Sequence, residues 1–179
     1  RIRKKYKLPQ KFVLYVGDIN YNKNIPNLIS ACKLVKSSLV LVGKQAQDIE
    51  TKGADIMSLK GPRDWIRFLI GKPHPELAHY AKLLSEFNTN PNVTRPGFVP
   101  DEDLVAIYNL ASVYCQPSFD EGFGLPILEA MACGTPVVIA KTNALVEISD
   151  GAALVADPKK PKDMSKKMKL ILNIRSQSN

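Results

Sequence analysis

The sequence contains no apolar run approaching the ~18 residues that a membrane-spanning helix needs. No signal-peptide pattern opens it, and its first residues, RIRKKYKLP, do not include Met; the expectation is a piece of something larger. Cysteine is scarce. Cys32, Cys115 and Cys133 are odd in number, lie among apolar neighbours and show no CxxC spacing. That argues against a disulfide framework or a zinc site, and for small buried hydrophobes in a reducing compartment. Histidine is scarcer still. His74 and His79 are five positions apart, the wrong spacing for two ligands on one helix face, and read as surface or packing residues. There is no GxGxxG after a strand, which disfavours a dinucleotide-dependent redox enzyme, and no GxxxxGK[ST], which removes a P-loop nucleotidase. Internal repeats and low-complexity tracts are also missing.

What is present suits one well-packed domain over residues 1–179, with 45% hydrophobic residues. The formal net charge is +8, unevenly spread. Arg1, Arg3, Lys4, Lys5, Lys7 and Lys11 crowd the start, and Lys159, Lys160, Lys162, Lys166, Lys167 and Lys169 crowd the end. The plain reading of these runs is solvated terminal segments; the sharper one is a membrane surface or an acidic partner. A nucleic-acid reading has little behind it, because no binding module accompanies the charge.

Short apolar runs alternate with helical patterns. Strands are expected at Phe12–Val16, Leu39–Val42, Val93–Thr94, Val113–Cys115, Pro136–Ala140 and Ala153–Val155. Helices are expected at Pro26–Val35, Glu76–Phe87, Asp101–Ala111, Leu125–Cys133 and from about Lys162 to Ile174. Strands that are apolar almost throughout, alternating with helices, predict an α/β fold: a Rossmann-like parallel sheet covered by helices on both faces. Such sheets bind ligands at the carboxyl ends of their strands. The loops at Gly17–Lys23, Gly97–Asp101 and Pro117–Gly124 are therefore the candidates. Residues 44–75, rich in Gly and Pro and holding the single Trp65, read as an irregular excursion with a short helix around Trp65–Ile70.

The densest chemistry lies in Glu121–Gly134, EGFGLPILEAMACG. Its helix is apolar on nearly every side except Glu129, which predicts burial all round and a carboxylate in need of a partner. Gly122 and Gly124 permit close approach at the helix start, and Pro126 suits its first turn. The amides there, with the helix dipole, favour a phosphate. Glu121 would repel that phosphate and is expected to turn toward hydroxyl groups. Two carboxylates flanking a phosphate-ready helix start suit a nucleotide-sugar. They do not look like a hydrolytic acid/base pair.

Glu121 and Glu129 match the E-x7-E signature of the retaining glycosyltransferases with the GT-B fold, and the surrounding PSFDEGFGLPILEAMACGTPVV resembles that family closely. YVGDINYNKN, GFVPDEDL and GAALVADP follow in the family's order, so the resemblance covers most of the chain outside 44–75. It implies the C-terminal, donor-binding half of a two-domain enzyme whose acceptor domain lies elsewhere. It implies Glu121 on the transferred sugar and Glu129 on the ribose. The amides of Gly122, Phe123, Gly124 and Leu125 would hold sugar and diphosphate. Lys23 would neutralise the departing diphosphate, making Glu121 and Lys23 the catalytic candidates. Gly17, in the first loop, and the backbone around Val99, along the nucleobase, complete the donor site. Asp101 could accept from a guanine edge, although a helix N-cap explains its position as well.

One residue departs from the family. An arginine that often follows the first-loop glycine is replaced by Asp18, so phosphate binding would rest on Lys23 and the helix start, with Lys44 as a conceivable substitute cation. No metal is implied; Asp101-Glu102-Asp103 reads as a helix start and not as a metal-binding DxD. No cofactor is implied beyond the substrate. The resemblance leans toward GDP-mannose over a UDP-sugar as donor, with a glycan or lipid-linked acceptor. The implied place is the cytoplasm, peripheral to the inner face of the membrane through the basic ends. The alternative is a non-catalytic nucleotide-sugar-binding or interaction module of the same fold.

Overall fold

The computed structural model describes residues 1–46, 49 and 75–177. Six strands, β1 (Phe12–Val16), β2 (Ser38–Val42), β3 (Val93–Gly97), β4 (Val113–Gln116), β5 (Val137–Ala140) and β6 (Leu154–Ala156), form one sheet in the order β3-β2-β1-β4-β5-β6. Every pairing is parallel. The helices are α1 (Ile2–Lys5), α2 (Ile25–Val35), α3 (Pro75–Thr89), α4 (Asp101–Leu110), α5 (Leu125–Ala132), α6 (Asn143–Ser149) and α7 (Pro161–Gln177).

The strands are apolar on both sides because both sides are covered. Val13, Tyr15, Leu39, Leu41, Val113, Cys115 and Val138 point into one core, closed by α2, α3 and α7. Their alternates Phe12, Leu14, Val40, Val42, Tyr114, Val137 and Ile139 point into a second core, closed by α1, α4, α5 and α6. This two-residue period across a doubly covered sheet is the expected arrangement of a parallel α/β domain. Cys32 and Cys115 are buried in the first core and Cys133 is partly buried. Burial pushes the Cys32 and Cys115 thiols well up, so both stay neutral.

Three local expectations change. The basic start is not simply solvated: it forms the short helix α1, and Leu8, Ile2 and Tyr6 join the second core. Lys5 and the Tyr6 hydroxyl both bond Asp103 Oδ2, at 2.5 and 2.6 Å, which holds that carboxyl below its usual range. Helix α6, after Thr142, escapes a periodicity search because its seven residues are shorter than the window such a search needs. The excursion from Lys44 starts helical at 44–46, while Trp65–Ile70 and His74 lie outside the described residues.

Two glycines let the first two loops touch. Gly17 donates its N–H to the Val42 carbonyl at 2.9 Å. Gly43, at φ +154°, lies so close that a Cβ there would stand 2.2 Å from the Gly17 carbonyl oxygen. Gly43→Ala therefore must displace the Gly17 loop. The expected loss is about 2–4 kcal/mol of stability, read as a lowered urea midpoint; an unchanged midpoint would show that the loop yields freely.

Candidate functional site

The strand order runs outward in opposite directions from β1 and β4, so their carboxyl ends open a crevice between the loops that follow them. The β1 loop enters a single 3-10 turn, Tyr21–Lys23, and the β4 loop carries Ser118 and Glu121. Across the crevice Lys23 Nζ donates to both oxygens of Glu121, at 2.7 and 2.9 Å. The pair is half-sheltered, with 22% of the Lys23 side chain and 8% of the Glu121 side chain exposed.

Glu121 is held from below as well. Gln116 Nε2 donates to its Oε1 at 2.5 Å and Ser118 Oγ at 2.6 Å. Gln116 is in turn oriented by the Tyr114 hydroxyl, which donates to its Oε1. Burial pushes Tyr114 well above the usual tyrosine range, keeping that hydroxyl a donor. The Glu121 carboxylate thus stands at the end of a polar chain rooted in the sheet. In this structure its partner across the crevice is the Lys23 ammonium.

The loops themselves are tied by Asn24, which sits in the left-handed region at φ 56° and is 3% exposed. Its amide donates to the carbonyls of Pro117, at 2.8 Å, and Pro158, at 2.7 Å. A backbone bond from Phe119 N–H to the Asn22 carbonyl, 2.8 Å, lies beside it. Sequence reasoning missed Asn24. The signal was available: asparagine tolerates left-handed backbone better than most residues, and here it precedes a helix.

Helix α5 corrects a second expectation. It is not buried on all sides. Ile127 and Ala130 are its buried residues and Met131 packs partly buried beside them, while Leu125 and Phe123 are each 59% exposed and Leu128 38%. The helix packs one side into the second core on the sheet face, so apolar composition did not mean full enclosure. Glu129 is exposed too, and its partner is the Tyr108 hydroxyl at 2.8 Å. Gly124 caps α5 at φ 88°, and a Cβ there would press Leu145 at 3.0 Å. Among the described residues, no protein acceptor takes the amides of Gly122, Phe123, Gly124 or Leu125. They remain able to bind an anion.

The remaining candidates lie around this centre. Gly17 ends β1 at φ 141°. Asp18 is exposed, and its backbone carbonyl accepts from the Tyr15 hydroxyl at 2.5 Å. Burial, with the Glu121 and Asp18 charges behind it, keeps Tyr15 neutral. Val99 is buried between β3 and α4, with Phe98 beside it 72% exposed. Asp101 is not the N-cap. Pro100 occupies that position with extended backbone, and Asp101 is the first helical residue, exposed and well placed against the helix dipole. Lys44 is exposed at the second loop. His79 is buried with Nε2 2.7 Å from the Ile19 carbonyl, a packing role. Among the described residues no cluster of His, Cys, Asp or Glu could hold a metal ion.

The family model described as "Glycosyl transferases group 1" matches residues 1–179. The chain belongs to this family. It is 37% identical over 159 residues to the O-antigen chain mannosyltransferase B of Escherichia coli, an alignment covering 88% of this chain and 36% of that protein. It is 28% identical over 173 residues to the serotype-specific mannosyltransferase WbdA of Escherichia coli, covering 96% of this chain and 18% of the relative. Among solved structures, sucrose-phosphate synthase from Thermosynechococcus elongatus superposes with TM-score 0.68 at 27% identity, over 98% of this chain and 40% of that one. An α,α-trehalose-phosphate synthase from Burkholderia xenovorans, described as UDP-forming, shares the fold at 14% identity and TM-score 0.62, over 97% of this chain and 38% of that one. The chain spans well under half of each of these proteins. The Rossmann-like parallel sheet is the fold of the GT-B glycosyltransferases.

The Asn24 bridge makes a stability prediction. Asn24→Gly keeps left-handed backbone available but strips both carbonyls of their donor. It should cost about 2 kcal/mol, or about 4–8 °C in melting temperature. Asn24→Ala should cost more, since it adds left-handed strain. Equal melting of both variants and wild type would show that the bridge carries no weight.

Proposed function

We propose that this chain is the donor-binding unit of a retaining glycosyltransferase that moves a hexose from a nucleoside-diphosphate sugar to a glycan or lipid-linked acceptor. The observation that carries the reading is the Lys23–Glu121 pair across the β1–β4 crevice, beside a helix start with unpaired amides. A diphosphate brings two negative charges to that crevice. Lys23 can exchange one carboxylate partner for the phosphates, and the α5 amides can take the remainder. The carboxylate of Glu121, released from Lys23 but still held by Gln116 and Ser118, is then free to accept from sugar hydroxyls. Glu129, one-sidedly bonded and facing solvent, receives the ribose.

In the transfer step the bond from the anomeric carbon to the diphosphate breaks, and a bond to the acceptor oxygen forms on the same face. The departing phosphate takes the acceptor proton, and Lys23 with the helix-start amides stabilises the charge that builds on it. No metal and no further cofactor enter this scheme. The mannosyltransferase relatives favour a mannosyl donor, and with it GDP-mannose. The acceptor domain lies outside these residues, and the exposed Phe123, Leu125 and Leu128 offer an apolar surface for it.

The site of action we place in the cytoplasm, at the inner membrane face. Among the described residues no helix is long and apolar enough to cross a membrane. The two basic ends lie on opposite sheet faces, α1 with the second core and α7 with the first. A flat lipid surface can meet only one of them. α7, with exposed Lys162, Lys166, Lys169 and Leu170, combines charge with apolar contact.

Calorimetric titration of this chain with GDP, UDP and ADP tests the reading, GDP being expected to bind tightest. Lys23→Ala should weaken the diphosphate by about tenfold or more. Glu121→Ala should weaken the sugar nucleotide while leaving the free diphosphate as tight as before or tighter, because Lys23 is then released. A full-length protein that binds a sugar nucleotide yet neither transfers nor hydrolyses it across a panel of donors and acceptors would instead be a binding module.

A further inference from the structure

The Tyr108 hydroxyl takes no part in the transfer just described, yet it reaches the site. Tyr108 is on α4, with its residue surface 1% exposed in the second core. Its backbone carbonyl accepts from Thr135 Oγ1 at 2.7 Å, and Thr135 itself is buried in the turn after α5. Its ring leans on Tyr114, with centroids 5.8 Å apart and planes tilted by 55°. Main chain and ring are therefore both fixed, and the hydroxyl is delivered to one place: 2.8 Å from Glu129 Oε2.

Glu129 has no such support of its own. It is exposed on a helix surface, where a free glutamate side chain samples many rotamers. We propose that Tyr108 is a positioning residue, which holds the Glu129 carboxylate in the orientation that receives the ribose hydroxyls of the nucleotide. The inference rests on the ribose-binding reading of Glu129 given above. The Tyr108 bond occupies Oε2; among the described residues Oε1 has no protein donor. A carboxylate has about four acceptor positions, so one such bond leaves room for a vicinal hydroxyl pair. Burial first, and then the bond to Glu129, push the Tyr108 hydroxyl well above the usual tyrosine value. It stays a donor over the whole physiological range, so the carboxylate remains the acceptor. The contact thus pre-sets a rotamer that the ligand would otherwise have to select.

A merely structural tie between α4 and α5 would affect all ligands alike. The test compares the tightest-binding nucleoside diphosphate with its 2′,3′-dideoxy counterpart, each titrated calorimetrically into this chain. Tyr108→Phe should weaken the ribonucleotide about 3- to 10-fold and leave the dideoxy form unchanged. Glu129→Ala should lose at least as much, and adding Tyr108→Phe to it should cost nothing further. Glu129→Asp, at an exposed position that does not threaten folding, keeps the charge but cannot span from Tyr108 to the sugar; it should also lose ribose discrimination. Wild-type affinity in Tyr108→Phe, equal losses for both ligands, or retained discrimination in Glu129→Asp would each overturn the positioning role. If Glu129→Ala itself treats the two ligands alike, the ribose-binding reading falls with it. If wild type binds none of the nucleotides, the donor-site reading falls as well.

Discussion

Everything at the site depends on the parallel pairing of β1 with β4. Residues 13 and 14 lie beside 113 and 114, a hundred positions apart in the chain, and the chain leaves the two strands in opposite directions. The loops after them have nothing between them except each other. A cation from one and a carboxylate from the other therefore meet without either loop having to reach. The glycine contact between the first and second loops, and the asparagine bridge to Pro117 and Pro158, hold the crevice open at a set width. The sheet supplies proximity and the loop contacts supply constancy.

The electrostatics of this crevice follow from that proximity. Lysine and glutamate facing each other at 2.7 Å leave no net charge in the pair, and the Gln116–Ser118 support fixes the carboxylate more firmly than the flexible lysine. An anion entering the site would meet Glu121 as its competitor for the lysine, but among the described residues no protein acceptor competes with it for the helix-start amides. On the proposed function, a ligand would trade one charged contact for another while the buried polar chain from Tyr114 stays intact. Breaking a sheltered pair by removing one partner is costly because the other is left uncompensated; the neutral donors Gln116 and Ser118 are what would remain to Glu121.

Much of this was legible in the residues. All six strands were placed to within one or two residues except β3, where Pro96 and Gly97 hid the extension of the strand beyond Thr94. Lys23, Glu121 and the glycines before α5 stood out in the residues, and the structure brings Lys23 and Glu121 into contact beside those glycines. Contacts that join distant segments were not legible: the Lys23–Glu121 bond spans 98 positions, the Asn24–Pro158 bond 134. Helix α5 misled because composition reports how apolar a segment is and not how much of it one sheet face can cover. The same limit applies to Glu129. Its isolation among apolar neighbours suggested burial, while its partner Tyr108 came from a helix whose own pattern gave no hint of a polar target. Asp101 misled in a smaller way, since Pro100 before it can supply the extended cap conformation by itself.

The Asn24 bridge has a consequence for how binding would register as heat. One buried amide joins the loops after β1, β4 and β6, so these segments are already ordered before a ligand arrives. Little chain folding remains to be coupled to association. The heat-capacity change on binding should then be small, set by the surface covered by the ligand and not by newly structured backbone. The binding enthalpy of such a site would change little with temperature, as in a cast mould and unlike a closing hand.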